Sequence, residues 1–355
     1  MKSATIYDVA REAGVSIKTV SRILNHDMTV KAANRERVLA AVDRLNYRPS
    51  LSARSLAGSR SFVVAAFVDA QLTIDHWRSG RATDYLARVQ LGATLECRKA
   101  GYHFLLELID HDRASLKREA RDVLSALSPD GVLLTPPSCD DPDMLELLIA
   151  SRTPFVRLGS ESEVEGGIQL TLDDRGGAAT AVRHLVELGH TRIACILGDP
   201  RYGSSEARLA GYHEALAEAG LAADESLVLS GDFTFQSGVT ATERLLAGAR
   251  PPTAIFASSD EMALGSLSAL SQAGLRAPED VSVVGFDDSA GARFSRPQLT
   301  TVRQPLIEMA SEAVRRLIQK PGADPVAAPA FTSELIVRDS TAPPKPRARR
   351  AAGAG

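Results

Sequence analysis

One short stretch of the chain, residues 17–24, has polar side chains along one side of a predicted helix. Apolar residues recur there with helical spacing and leave the other side to Lys18, Thr19, Ser21 and Arg22. A lysine and an arginine four residues apart can donate to the O6 and N7 atoms of guanine, and hydroxyl groups can bind phosphate oxygens. The residue types and their spacing therefore indicate contact with nucleic acid.

A second short helix precedes this stretch and would hold it in place. Thr5 can cap its start, apolar residues at positions 6, 9, 10 and 13 form its buried stripe, and Gly14 can adopt the left-handed conformation that ends a helix. Ser16 can then cap the next helix. Two short helices joined by a glycine-containing turn are typical of a helix-turn-helix. The pattern alone leaves open a helix pair in some other globular domain.

A third amphipathic segment and a short helix-forming segment follow. Val38, Leu39, Val42 and Leu45 form the apolar face of the third segment. Pro49 then disfavours helix at the preceding residue, and Ser50 can cap a short helix that ends before Gly58.

These motifs resemble the DNA-binding headpiece and hinge helix of the lactose-repressor family. The resemblance rests on TIYDVAREAGVSIKTVSRILN (residues 5–25) and RERVLAAVDRLNYRPSLSARSLAGSR (residues 35–60), and it extends over about residues 3 to 339. It implies an all-α helix-turn-helix headpiece (1–48), a hinge helix and linker (49–59), and a bilobal α/β domain like that of periplasmic binding proteins (60–340). Such a body has two parallel sheets.

The resemblance also implies roles in DNA binding. In the family, the positions of Ile17, Lys18 and Arg22 read bases in the major groove, and Leu56 wedges between central bases beside the small Ala53. The expected phosphate contacts are Thr5, Ser16, Thr19, Ser21, Asn25 and Asn34, with Tyr47 and Ser50 as further DNA-binding candidates. Caps or solvated surface are the alternative for the polar residues, and an inert linker is the alternative for the hinge. Lys31 departs from the hydroxyl residue often found there, so one cap and one phosphate contact are in doubt.

Charge is distributed unevenly along the chain. Residues 1–60 hold 11 Lys and Arg against 5 Asp and Glu, residues 341–355 hold 4 basic and no acidic residues, and the net charge is only −3, so the remainder carries −13. A basic N-terminal segment on an acidic body suits a module that binds the phosphates of nucleic acid.

No apolar run approaches the length of a membrane span and no signal peptide is evident, so we expect a cytoplasmic protein without membrane contact. Cys97, Cys139 and Cys195 are far apart in sequence, which favours buried, reduced thiols over a metal motif.

After residue 60, apolar strands alternate with amphipathic helices, and the rhythm restarts near residue 173. This pattern predicts two parallel α/β lobes with a cleft between them. We expect the first lobe to comprise about residues 60–162 and 292–321, including a returning strand before the helix at PLIEMASEAVRRLIQK. The second lobe would comprise about 163–291 and 322–340, including a strand at FTSELIVRDS. The polar tail, residues 341–355, should be disordered and lacks leucine heptads for tetramers, so we expect a homodimer.

Ligands of open α/β sheets bind at the carboxyl ends of the strands. Polar and aromatic side chains follow several strands here, and that mixture suits a sugar or a derivative. By resemblance, the effector site contains Arg208, Phe233, Ser259 and Asp287, with Asp69 and Tyr85 as looser candidates. Ser259 stands where many members have asparagine, and Asp260 is expected to cap the following helix. Residues 69–88 depart from the family pattern, and they leave open whether Trp77 packs or stacks on a ligand.

These features predict a transcriptional regulator that binds a near-palindromic operator in double-stranded DNA. A repressor released by a sugar-like effector is the first expectation, a corepressor-dependent repressor is the second, and a sugar-binding protein without DNA-linked function is the alternative of another class. We expect no enzyme activity, because GxxxxGK[ST], GxSxG and HExxH motifs are missing from the sequence. No cofactor and no metal is expected.

Overall fold

The computed structural model describes residues 4–24, 29–47, 60–79, 84–111, 115–160, 164–319 and 331–345. The chain divides into two compact units. The first, the headpiece unit, consists of residues 1–63 with 127–130, and the second, the body, consists of residues 64–126 with 131–355. Among the described residues, no helix is both long and apolar enough to cross a membrane.

In the described part of the headpiece there are three helices: α1 (Ile6–Ala13), α2 (Ile17–Leu24) and α3 (Ala32–Arg44). Most of the apolar residues predicted from the sequence meet in one small core, but Leu39 is 47% exposed. Its buried members are Val9, Ala10, Ala13, Val20, Ile23, Val38, Ala41 and Tyr47. Packing against α1 and α3 therefore stabilises α2, which at eight residues is too short to be stable alone.

The first lobe of the body has a five-stranded sheet in the order β2-β1-β3-β4-β5. Its three central strands are almost wholly buried, as expected for a parallel sheet with helices on both faces, whereas the edge strand His103–Ile109 is only partly buried. In chain order the elements are β1 (Val63–Asp69), α4 (Ala70–Ser79), α5 (Asp84–Ala100), β2 (His103–Ile109), α6 (Leu116–Leu127), β3 (Gly131–Leu134), a 3₁₀ turn (Ser138–Asp140), α7 (Pro142–Ala150), β4 (Phe155–Leu158) and β5 (Ile168–Leu170).

The second lobe has a six-stranded sheet in the order β11-β10-β9-β8-β6-β7, in which only the described pair β10–β11 is antiparallel. Its elements are α8 (Asp174–Glu187), β6 (Ile193–Leu197), α9 (Gly203–Glu218), a 3₁₀ turn (Glu225–Leu227), β7 (Val228–Ser230), α10 (Phe235–Ala247), β8 (Ala254–Ala257), α11 (Asp260–Gln272), β9 (Ser282–Asp287), α12 (Ala290–Phe294), β10 (Thr300–Arg303) and β11 (Glu334–Ile336). Helix α13 (Leu306–Ile318) lies between β10 and β11 in the sequence but packs on the first lobe. The alternating strands and helices agree with the predicted α/β fold.

The lobe boundaries expected from the sequence need correction. Strand β10 does not return to the first lobe, because Thr300 pairs with Val284 of β9 and Thr301 with Ile336 of β11. Helix α13 does return, and it packs on α5, β3 and β4. Strand β5 belongs to the first sheet, so that lobe extends to residue 170 rather than 162. The predicted strand at FTSELIVRDS lies in the second lobe as expected.

The beginning of the polar tail is ordered, contrary to expectation. His190 Nε2 donates to the carbonyl of Ala342 over 2.9 Å, and Lys345 pairs with Asp280 at 2.7 Å. Low hydrophobicity predicted disorder here, but these hydrogen bonds to the second lobe hold residues 341–345 without apolar burial. Residues 346–355 lie outside the described part of the chain.

Candidate functional site

The helix-turn-helix owes its geometry to local capping. Thr5 begins α1 with a capping box, in which its hydroxyl accepts from Asp8 N and the Asp8 carboxylate accepts from Thr5 N at 2.9 Å. Gly14 ends α1 at φ 62°, a conformation that costs a glycine little. Ser16 then accepts from Thr19 N at 3.1 Å at the start of α2. These contacts fix the turn that orients α2.

The outer side of α2 presents most of the side chains that were predicted to bind DNA. Lys18 and Arg22 are exposed, and Ile17 exposes 40% of its surface although it is apolar. An exposed isoleucine beside two cations can make apolar contact with thymine methyl groups. Arg22 donates to the hydroxyl of Thr29, so its guanidinium is held close to the helix.

The remaining predicted DNA contacts fall in three places. Ser16 is exposed on the same side, Thr19 and Ser21 are half-buried, and Asn34 accepts from Arg37 at 2.8 Å on α3. Tyr47 lies in the headpiece core with 7% of its surface exposed, so the structure supports packing for it. The predicted contacts that lie outside the described residues are Asn25, Ser50, Ala53 and Leu56.

Lys31 occupies the N-cap position of α3 without a side-chain cap, as its residue type predicts.

Replacing Thr5 removes the side-chain cap of α1. Thr5→Ala should destabilise α1 by about 1 kcal/mol, because the amides at the start of the helix lose their acceptor. In the intact chain, hydrogen exchange of the α1 amides should become about fivefold faster. Thr5→Ser keeps the hydroxyl and should exchange as the parent does; equal rates for Thr5→Ala would show that the cap contributes nothing.

The body contains a cavity of about 160 Å³ whose lining residues come from both lobes. The first lobe contributes the ends of β1 and β4 with α4 and α5, and the second contributes residues that follow β6, β7, β8 and β9, as the rule for parallel sheets predicts. All six predicted effector residues line this cavity: Asp69, Tyr85, Arg208, Phe233, Ser259 and Asp287.

Arg208 is held by a buried partner that sequence reasoning did not assign. Its Nε and Nη2 contact Asp174 at 2.7 Å, its Nη1 donates to the carbonyl of Ser258, and its guanidinium carbon lies 3.8 Å from the centre of the Phe286 ring. Burial raises the pKa of Asp174, and the arginine opposes that rise. The adjacent acids at 173 and 174 were visible in the sequence, but nothing local linked them to an arginine 34 residues away.

Asp287 accepts from Gln304 Nε2 at 2.5 Å and has a φ of 131°, which is strained for a residue with a side chain. Burial raises the pKa of Asp287, and neighbouring Asp260 raises it further. The N-cap of α11 is Ser259, which accepts from Met262 N at 3.2 Å, so the capping role expected of Asp260 is wrong. Asp260 instead accepts from Thr301 and Ser289 in the interior.

Burial raises the pKa of Asp260 to about 6, and this predicts a pH-dependent stability. A carboxyl with a raised folded-state pKa contributes stability below its unfolded pKa and loses it as pH rises through about 6. Chemical denaturation of the parent and of Asp260→Asn at pH 4 and pH 7.5 should therefore show the parent losing stability relative to the variant at the higher pH. A difference that is independent of pH would contradict this.

Aromatic side chains cover another part of the cavity wall. Phe233, at φ 67°, packs edge to face against Tyr202 with 5.3 Å between ring centres. Trp77 of α4 also lines the cavity. Carboxylates, one arginine and aromatic rings therefore surround the same space, and together they can bind hydroxyl groups and an apolar ring face.

Two arginines, Arg88 and Arg201, connect the lobes beside the cavity. Arg88 of α5 donates to the carbonyl of Asp287 at 3.1 Å and to that of Asp288, and it pairs with Asp84 at 2.7 Å. Arg201 of the second lobe lies 3.6 Å from Asp69 of the first. A ligand that touches Asp287 or Asp69 therefore acts on residues that also join the lobes.

Comparison with known proteins decides the family. The model for bacterial regulatory proteins of the lacI family matches residues 5–50, and that for periplasmic binding protein-like domains matches residues 182–341. The HTH-type transcriptional regulator CelR of Thermobifida fusca is 36% identical over 345 residues, 95% of this chain and 98% of the relative. This chain belongs to the LacI family. Another LacI-family relative, catabolite control protein A of Priestia megaterium, is 33% identical over 89% of this chain and 92% of its own length.

Solved structures of the LacI family agree with this assignment. The lac repressor dimer bound to operator and the anti-inducer ONPF has a TM-score of 0.80 at 29% identity and covers 96% of this chain and 100% of its own. A CelR–cellobiose complex has a TM-score of 0.71 at 34% identity over 95% and 99%. The chain is thus a DNA-binding transcriptional regulator of the LacI family, and its relatives are regulators rather than enzymes.

Proposed function

We propose that the chain is a cytoplasmic repressor whose affinity for DNA is controlled by a sugar or sugar derivative bound between the two lobes. The observation that carries this is the cavity lined by both lobes, in which Arg208, Asp287 and Phe233 face one space. The CelR–cellobiose complex, a structural relative, supports a sugar as the ligand class. We propose that binding of this ligand lowers the affinity of the protein for its operator and so releases the DNA.

We propose that two copies act together on a near-palindromic operator. One headpiece covers only a few base pairs, and a twofold dimer reads two half-sites about one helical turn apart. Ile17, Lys18 and Arg22 of each copy would read bases, and the hydroxyl residues around them would bind phosphates. The lac repressor dimer on its operator, which this chain resembles, supports that arrangement.

The proposed link between ligand and DNA begins at the cavity. Arg88 bonds the carbonyls of Asp287 and Asp288, so a ligand on the Asp287 carboxylate would favour the lobe arrangement in which these contacts form. A ligand shifts an equilibrium only by its differential affinity for the two arrangements. Residues 49–59, which connect the headpiece to the body in sequence, would transmit the difference to the headpiece, and they lie outside the described residues.

A ligand screen on the purified full-length chain tests this proposal. Pentoses, hexoses, neutral glycosides, sugar phosphates, purines and amino acids are added one by one while the melting temperature is measured, because a ligand that binds only the native state raises it. We expect at least one sugar to raise the melting temperature in the parent and not in Arg208→Ala. If no sugar does so, and a purine or an amino acid does, the proposed ligand class is wrong.

A further inference from the structure

Helix α4 is the part of the cavity wall that the family pattern did not predict. It spans Ala70–Ser79, directly after β1, and two of its side chains line the cavity. These are Thr73 and Trp77, which are four residues apart and therefore lie on the same side of the helix. Thr73 is 8% exposed and therefore buried against the body.

Trp77 combines cavity lining with unusual exposure. Half of its surface, 50%, remains accessible, although large aromatic side chains in packed positions are usually covered. The sequence left open whether this tryptophan packs or stacks, and its exposure at the cavity argues against packing as its whole role. An indole that lines a ligand cavity and is half exposed can cover the apolar face of a sugar ring or an aglycone.

The charges around the cavity limit what the ligand can be. Among the described lining residues there are six carboxylates and a single arginine: Asp69, Asp84, Asp174, Asp260, Glu261, Asp287 and Arg208. The arginine already bonds the carboxylate of Asp174 and the carbonyl of Ser258. Among the described lining residues, a phosphate would therefore meet a single cation that is already engaged, so the negative charge of the phosphate would stay largely uncompensated.

A positively charged ligand is also disfavoured, because protein donors already compensate several of these carboxylates. Arg208 pairs with Asp174, Arg88 pairs with Asp84, and Gln304 donates to Asp287. Each oxygen has further lone pairs, so it can still accept from a ligand hydroxyl. Apolar residues complete the wall: Val68, Leu86, Pro136, Leu158, Leu172, Leu306 and Met309. Hydroxyl groups on an uncharged body fit this combination.

We propose that Trp77 forms a stacking subsite in the effector cavity and that the effector is an uncharged glycoside, not a sugar phosphate. The inference rests on the proposed function, since it assumes that this cavity binds the effector. It adds Trp77 as a ligand-binding residue, and it adds that the effector carries no net charge, neither of which the family resemblance supplied.

Tryptophan fluorescence tests the subsite directly, because Trp77 is the only tryptophan in the sequence. Full-length protein is titrated with cellobiose, lactose, maltose, glucose 6-phosphate and glucosamine, while emission and melting temperature are both recorded. A neutral glycoside that raises the melting temperature should also change the emission of Trp77. The phosphate and the amine should change neither at the same concentrations.

Two variants separate stacking from general packing. Trp77→Ala should weaken binding of the active glycoside about tenfold, and Trp77→Phe should restore most of it because an aromatic face remains. Binding is followed by melting temperature, which needs no tryptophan. A glycoside that stabilises the parent without altering emission, and binds Trp77→Ala equally well, would reject the subsite and leave the proposed function standing. Tighter binding of glucose 6-phosphate or glucosamine than of any neutral glycoside would show that the effector is charged and reject that part of the proposal. A panel in which no sugar binds would count against the Trp77 subsite and against the proposed function.

Discussion

Arg208→Ala should abolish the effector response while operator binding persists. The guanidinium is 5% exposed, reaches the cavity, and joins Asp174, the carbonyl of Ser258 and the Phe286 ring. Truncating a buried charged partner costs about 2–5 kcal/mol, so the apparent affinity for the effector should fall on the order of 100-fold or more. The measurement is the effector concentration needed to change operator affinity in the parent and in the variant.

The same substitution leaves Asp174 buried without its cation, which destabilises the fold by about 3–5 kcal/mol. The double variant Arg208→Ala with Asp174→Asn removes the unpaired charge, and it should recover stability without recovering the response. Arg183→Ala serves as a matched control, because Arg183 is a partly exposed arginine of the same lobe that pairs with Glu218 and does not line the cavity. A normal response in Arg208→Ala would remove this residue from the effector site.

Lys18→Ala combined with Arg22→Ala should nearly eliminate sequence-specific binding. Both side chains are exposed on the outer side of α2, and each bidentate contact with a base contributes about 1–3 kcal/mol of discrimination. The double variant should therefore lose on the order of 100-fold or more in operator affinity while non-specific binding falls much less. Fluorescence anisotropy on an operator selected from random DNA, and on a scrambled duplex, measures both losses.

Arg44→Ala is the control for charge alone. Arg44 is an exposed cation of α3 that pairs with Glu12 at 3.1 Å, away from the outer side of α2. Its removal should lower affinity for both duplexes by a similar small factor, as a lost long-range charge does. If Lys18→Ala with Arg22→Ala weakened operator and scrambled DNA equally, these residues would bind phosphates and not bases.

Local patterns in the sequence were sufficient for the headpiece and for the order of elements in the body. The Thr5 cap, the Gly14 turn and the buried stripe of α1 and α2 depend on residues within four positions of one another, so the sequence displays them. The effector candidates line one cavity, and most of them follow strands, whose carboxyl ends meet at one edge of a parallel sheet. Their role in binding an effector stays a prediction.

Features that depend on distant partners could not be predicted. Strand β10 has a local pattern that fits either lobe, and only its pairing with β9 and β11 assigns it to the second. The Asp174 partner of Arg208 and the Gln304 partner of Asp287 are separated from them by 34 and 17 residues. The order of residues 341–345 likewise depends on His190 and Asp280, far earlier in the chain.

The central claim is that a ligand bound in the body controls the affinity of the headpiece for DNA. Its most direct test is the operator dissociation constant of one full-length preparation, measured with and without a saturating sugar that raises the melting temperature. A coupling of about 1.4 kcal/mol or more is expected, and it would weaken operator binding at least tenfold while binding to scrambled DNA stays constant. An unchanged operator constant for every sugar that stabilises the body would contradict the claim.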